Sequence, residues 1–112
     1  MEKNKLGNVE IKPEALAVIV SIATKEIEGV SKLVGNLKNS TLEKIGKKEY
    51  TKGIKLFLED DELYVEISCT VKSGYTISKI ATKIQSNVRN SIYNMTDIVV
   101  KSINVNIIGI DY

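Results

Sequence analysis

The sequence predicts an α+β fold, a two-layer βαββαβ sandwich with two main helices on one face of a mostly antiparallel sheet. Three observations carry this. Two alternating apolar runs flank a two-residue polar turn at Asp60-Asp61, the mark of a β-hairpin with one buried face. Ile77 to Met95 carries a narrow apolar stripe at helical spacing. A third alternating run, Ile98 to Ile110, closes the chain.

In chain order, Val9 to Ile11 is a short extended piece and supplies the first strand. Pro13 suits the first turn of a helix, where its missing N–H has no intrahelical acceptor, and Glu14 places a negative charge near the positive helix end. Ala15 to Glu28 holds the β-branched residues Val18, Ile19, Val20 and Ile22 and is open to either a helix or a strand. Its length, the helix formers after Lys25 and a stop at Gly29 decide for helix. Its apolar residues cover about 200° of the wheel, twice the usual stripe. Such a helix touches more than one surface, either sheet plus neighbouring helix or a partner protein. Residues 31–52 form a basic variable segment; Ser40 followed by Glu43 fits a capping box, so a short helix sits near Thr41 to Ile45, stopped by Gly46.

Gly53 opens the hairpin. Ile54, Leu56 and Leu58 alternate with Lys55, Phe57 and Glu59; beyond the turn, Leu63, Val65, Ile67, Cys69 and Val71 alternate with polar partners. This register sets Leu56 against Val65 inside, with Phe57 against Tyr64 and Lys55 against Glu66 outside. Ser73-Gly74 breaks the strand and Thr76 caps the second helix. Ile77, Ile80, Ala81, Ile84, Val88, Ile92 and Met95 make its inner stripe, while Lys79, Lys83 and Asn90 lie opposite. In the last strand Ile103, Val105 and Ile107 point inward; Lys101 shares their parity, which predicts a bulge or an exposed strand end there.

The chain has 112 residues, enough for one core and a single domain. With 43% hydrophobic and 27% charged residues, it falls among ordinary globular proteins rather than disordered ones. Its one cysteine forbids an internal disulfide, and the absence of histidine removes His-based triads and HExxH zinc sites. Cys69, on the inner face, is expected to be an inert small hydrophobe. The net charge of +2 is far from the footprint of a nucleic-acid binder, so nucleic acid is not the expected partner. Charge is nonetheless segregated: Ser31 to Lys55 holds seven lysines and two glutamates, Glu59 to Glu66 five acids and no base. The plain account is a solvated surface with opposite patches; the sharper one is an anionic-ligand site.

Ala15 to Ala23 resembles a secretory signal, but Glu2, Glu10 and Glu14 interrupt the basic stretch ahead of it. It is also shorter than the roughly 20 apolar residues that span a bilayer. The expectation is a cytoplasmic protein, in which the sequons at Asn39 and Asn94 carry no glycan. The Met1-Glu2 start offers no myristoyl glycine and the Asp111-Tyr112 end no prenylation cysteine, so direct lipid binding is not expected. The acids from Glu59 to Glu66 lack calcium-loop spacing and read as a solvated tip. With no glycine-rich phosphate loop, no GxxG and no nucleophile–base pair, no catalytic, cofactor-binding or metal-ligating residue is expected. Candidate partner-binding residues are Phe57 and Tyr64 on the outer sheet face and Lys79 and Lys83, one turn apart on the second helix.

Several segments also resemble a known family. They are Lys25-Glu26-Ile27-Glu28-Gly29-Val30, then Lys52-Gly53-Ile54-Lys55-Leu56, the strand Leu63-Tyr64-Val65-Glu66-Ile67, the helix from Ile80 through Lys83-Ile84-Gln85-Ser86-Asn87-Val88, Asn94-Met95-Thr96, and Ile103 to Ile107. In this order, from about Val9 to Ile110, they resemble the alkaline shock protein (Gls-type) envelope stress response family of Gram-positive bacteria. Two positions depart from it: Asp97 stands where the family usually has glycine, and Gly74-Tyr75 reverses its usual Tyr-Gly step. The resemblance implies a non-enzymatic, cytosolic, membrane-proximal scaffold held by a membrane-anchored protein partner, with homo-oligomers as a further expectation and no cofactor. The alternative is a small regulator that binds an enzyme of fatty-acid or acetyl-CoA carboxylation, or nucleic acid.

Overall fold

The computed structural model describes residues 11–35, 48–60 and 62–112. Along the chain run α1 (Pro13–Lys25), β1 (Val30–Leu33), β2 (Lys48–Thr51), β3 (Ile54–Glu59), β4 (Glu62–Lys72), α2 (Ile77–Thr96) and β5 (Val100–Asp111). β4 is the centre of a five-stranded sheet. One of its edges pairs antiparallel with β3 from Glu62 to Ile67 and then with β1 from Cys69 to Val71. Its other edge pairs with β5, the one parallel neighbour among the described strands, and β2 adds outside β3. The α+β class stands, with two helices on one face of a mainly antiparallel sheet.

The hairpin has the register its alternation predicts: Leu56 opposes Val65, Phe57 opposes Tyr64 and Lys55 opposes Glu66. Inward residues Leu63, Val65, Ile67, Cys69 and Val71 are all buried. At Lys101 the parallel register slips, Leu63 facing Val100 but Tyr64 facing Ser102, so the inward lysine is extruded by a bulge. Its ammonium lies 3.8 Å from Glu62. A second slip extrudes Ile108.

Differences gather around residues 31–52. β1 and β2 occupy parts of the basic variable segment, and the first of the described strands follows α1. Ile11 is in no strand; Val9 and Glu10 lie outside the described residues, as does the short helix expected near Thr41 to Ile45. The two strands share one reason for being overlooked. Each is four residues long and carries a bulge, between Val30 and Lys32 or between Glu49 and Thr51, which erases the period-two signal. α1 also stops at Lys25, three residues short of the expected Glu28.

Because β1 and β3 lie end to end along β4, the chain needs a handover between them. Ser68 provides it: its N–H donates to the Gly53 carbonyl and its carbonyl accepts from Val34 N–H. Gly53 sits at φ +79°, and a methyl there would lie 2.8 Å from the Ser68 oxygen. Only glycine fits both constraints.

The helices fill the other layer. Leu16, Ala17, Val20 and Ala23 of α1 and Ile80, Ile84, Val88 and Ile92 of α2 join the inward strand residues in one core. Asn87 clamps the helices together, its amide donating to the Ala23 carbonyl at 2.8 Å and the Glu26 carboxylate at 2.9 Å. From α2, Gln85 and Arg89 donate to the Ile103 and Val100 carbonyls, so side chains satisfy part of β5. Thr76 occupies the N-cap position of α2, although its side chain makes no capping bond; Ile77 and Met95, at the two ends of the stripe, are exposed. The helix closes on Asp97 at φ +66°, the left-handed position where glycine carries no steric cost.

Ile67→Ala is expected to cost roughly 2–4 kcal/mol, the transfer term plus a cavity, in urea denaturation. In the same assay Gly53→Ala destabilises more than Gly74→Ala: both have positive φ, but a methyl on Gly74 meets nothing within 4 Å. Asp97→Gly raises stability by about 0.5–1 kcal/mol through relief of the left-handed backbone.

Candidate interaction surfaces

The outer face of the sheet carries Phe57 and Tyr64, tilted rings with centroids 5.8 Å apart. The Tyr64 hydroxyl donates to Glu62 at 3.2 Å. Desolvation first, and then the Glu62 bond and nearby acids, push its pKa upward, so it stays a neutral donor at physiological pH. Next to this pair, polar groups face one another across four strands: Glu49 opposes Lys55, Lys55 opposes Glu66, and Asn106 donates to Glu66 at 2.8 Å. Lys55 is only 5% exposed, an unusual place for an ammonium, and acids stand opposite it on both neighbouring strands. Further along β4, Ser31 and Thr70 both donate to one Asp111 carboxylate oxygen, at 2.6 and 2.8 Å. These bonds hold the Asp111 pKa below its ordinary value, outweighing the opposing desolvation. Groups already bonded to one another gain little from a partner, and an apolar partner would strand them.

Lys79 and Lys83 line an open cleft of about 240 Å³ at the start of α2, with Glu28, Tyr75 and Thr76. The Tyr75 hydroxyl donates to Glu28 at 2.9 Å, and that bond is the main reason its pKa is raised. The cleft is therefore of mixed charge. The structure brings Phe57 to Tyr64 and Lys79 to Lys83 but sets the pairs on opposite layers, so they do not form one surface.

A third surface was only partly foreseen in the sequence, through the wide apolar arc of the first helix. Ile19, Ile22, Ala23, Glu26, Ser91 and Met95 line an apolar groove of about 140 Å³ between α1 and α2. At its border Ile22 is 54% and Met95 68% exposed, and Val18 is 51% exposed on the same helix as Ile22. The signal was available: an apolar arc of about 200° is wider than one sheet and one helix can cover. A fourth, an apolar hollow of about 230 Å³ between the start of α1 and the hairpin, is lined by Leu16, Tyr50, Leu56, Leu58 and Leu63. Among the described residues no group of three metal-ligating side chains converges, and no helix is long and apolar enough to cross a membrane.

Residues 1–112 match the alkaline shock protein 23 family, described as having a cell envelope-related function. The chain is 39% identical over 111 residues to the uncharacterized protein YqhY of Bacillus subtilis, covering 99% of this chain and 82% of that one. It is 29% identical over 111 residues to the uncharacterized Spy1535 of Streptococcus pyogenes (98% and 84% covered). With the uncharacterized YloU of Bacillus subtilis it shares 21% identity over 110 residues (96% and 92% covered). No solved structure matches it.

Cys69 is fully buried and its pKa is raised by desolvation. A thiol reagent should therefore label it slowly in the native protein and fast in denaturant. For Asp111, a folded pKa below the unfolded one means that its contribution is complete above the ordinary carboxylate range and fades as pH falls through the folded value. Asp111→Asn is expected to reduce the stability lost between pH 6 and pH 3 in paired denaturation curves.

Proposed function

This chain belongs to the alkaline shock protein 23 family, whose function is cell envelope-related, and on that premise we propose that it is a non-enzymatic interaction module held at the membrane by a protein partner. The observation that carries this reading is the apolar face of the two helices, where Val18, Ile22 and Met95 stand exposed around the α1–α2 groove. Apolar residues grouped at one groove, on a layer whose other face is packed, mark an association surface more often than scattered surface residues do. The groove suits the apolar side of a helix, which anchors through side chains at helical spacing.

The chemistry of the face favours protein over lipid. Interfacial helices pair an apolar face with a lysine-rich flank, whereas the groove's own charged residue is Glu26. The mixed charge of the Lys79–Lys83 cleft and the internally bonded outer sheet face are poorer docking sites, although Phe57 and Tyr64 remain candidates for a weaker second contact. On this reading the protein is cytoplasmic and membrane-associated through its partner.

Sedimentation tests this with native membranes, the same membranes after protease treatment, and vesicles made from their extracted lipid. Binding to intact membranes alone is expected. Ile22→Asp, at an exposed position, should weaken it at least about tenfold, the scale of one lost apolar anchor. Equal binding to the protein-free vesicles would overturn the reading.

A further inference from the structure

Two of the segregated lysines noted in the sequence, Lys32 and Lys52, line one cleft of the fold together with Lys25. This cleft of about 270 Å³ opens where the free edge of β1 meets the β2–β3 turn beneath the last turns of α1, lined by Ser21 and Lys25, Ser31 and Lys32, and Thr51 and Lys52. Three lysines line it from three separate elements, and among the described residues no Asp or Glu is in its lining. The two bulges of the sheet's short strands fall at this place, one around Ser31 and one just before Thr51. Bulges redirect side chains, and they are frequent beside binding sites.

Two acids border the cleft. Asp111 lies close enough for Lys32 to lower its pKa, but its Ser31 and Thr70 bonds hold it on the outer sheet face. The Glu49 carboxylate packs by Gly35, where the Lys52 side chain also packs, and Glu49 opposes Lys55 on β3. Because the Ser31 proton is given to Asp111, the donors left for a ligand are the Ser21 and Thr51 hydroxyls and the lysines. Lys25 also answers the negative end of α1, which accounts for one cation but not for its convergence with Lys32 and Lys52. Like charges gathered on separate elements repel one another, and a multiply charged anion would reverse the sign of that interaction.

We propose that the cleft bounded by Lys25, Lys32 and Lys52 binds the phosphate group of a small anion carrying at least two negative charges. Lysine binds phosphate as a point charge, and hydroxyl donors complete the shell. A volume of about 270 Å³ leaves room for more than one phosphate group. The site lies apart from the α1–α2 groove and does not depend on the partner-held reading.

Inorganic pyrophosphate is the probe, titrated by calorimetry into the intact protein. Saturable one-site binding that weakens with salt is expected. Lys32→Gln and the double variant Lys25→Gln/Lys52→Gln should each weaken it about fivefold or more, roughly 1 kcal/mol or above. The double variant Lys79→Gln/Lys83→Gln removes as much charge elsewhere and should change it less than about twofold. All are exposed positions, and unchanged denaturation midpoints verify folding. A second arm uses phosphatidylglycerol vesicles. Failure to bind them assigns the site to a soluble phosphate; retention that pyrophosphate displaces and Lys32→Gln abolishes supports the cleft and assigns it to a lipid headgroup. Absence of saturable binding, or equal weakening by the Lys79/Lys83 variant, would overturn the proposal.

Discussion

The rest of the structure depends on the complete pairing of β4. Along one edge its partners are β3 and then β1, joined at Ser68; along the other, β5 runs beside it from Leu63 to Lys72. A strand bonded on both edges leaves no backbone group to water, and a shift by one residue would turn its whole apolar set to the wrong face. Leu63, Val65, Ile67, Cys69 and Val71 are therefore fixed inward, and the helices settle over them. The parallel pairing with β5 requires a crossover, which α2 provides. From this follow the packing of α2 against β5 and of α1 beside it over β1, β2 and β3.

How far the sequence revealed this depends on the length of each signal. β3, β4 and α2 carry six to twenty residues of periodicity, and β5 twelve interrupted at two bulges; they were legible down to the hairpin register and the Lys101 bulge. β1 and β2 were not, because a bulge in a four-residue strand leaves no alternation to detect. Their pairing is decided by the edges that β4 and β3 leave open, a tertiary fact. Of the candidate partner residues, sequence set Phe57 and Tyr64 on the outer sheet face and Lys79 and Lys83 on the second helix, so their separation into opposite layers was legible as well. The α1–α2 groove was half legible: the wide apolar arc announced surplus surface, while Met95, which its spacing sets in the inner stripe of α2, is exposed.

The fold divides the surface by chemistry. Over the outer sheet, Ser31, Lys55, Glu66, Thr70, Asn106 and Asp111 face or bond one another, which stabilises the face and lowers its value as a docking platform. The helical layer keeps apolar side chains in the open, and the edge of β1 gathers lysines. The two proposals use these surfaces separately, a protein partner at the helices and an anion at the β1 edge. Neither surface would exist without the rigid strand that sets the helices and the short strands in place.

Native-state hydrogen exchange tests that dependence most directly. If β4 organises the fold, amides from Leu63 to Val71 open only in global unfolding, at the free energy given by chemical denaturation, while β2 and the ends of β5 exchange through local opening. Exchange of the β4 amides at a free energy clearly below that of the α2 interior would contradict the account.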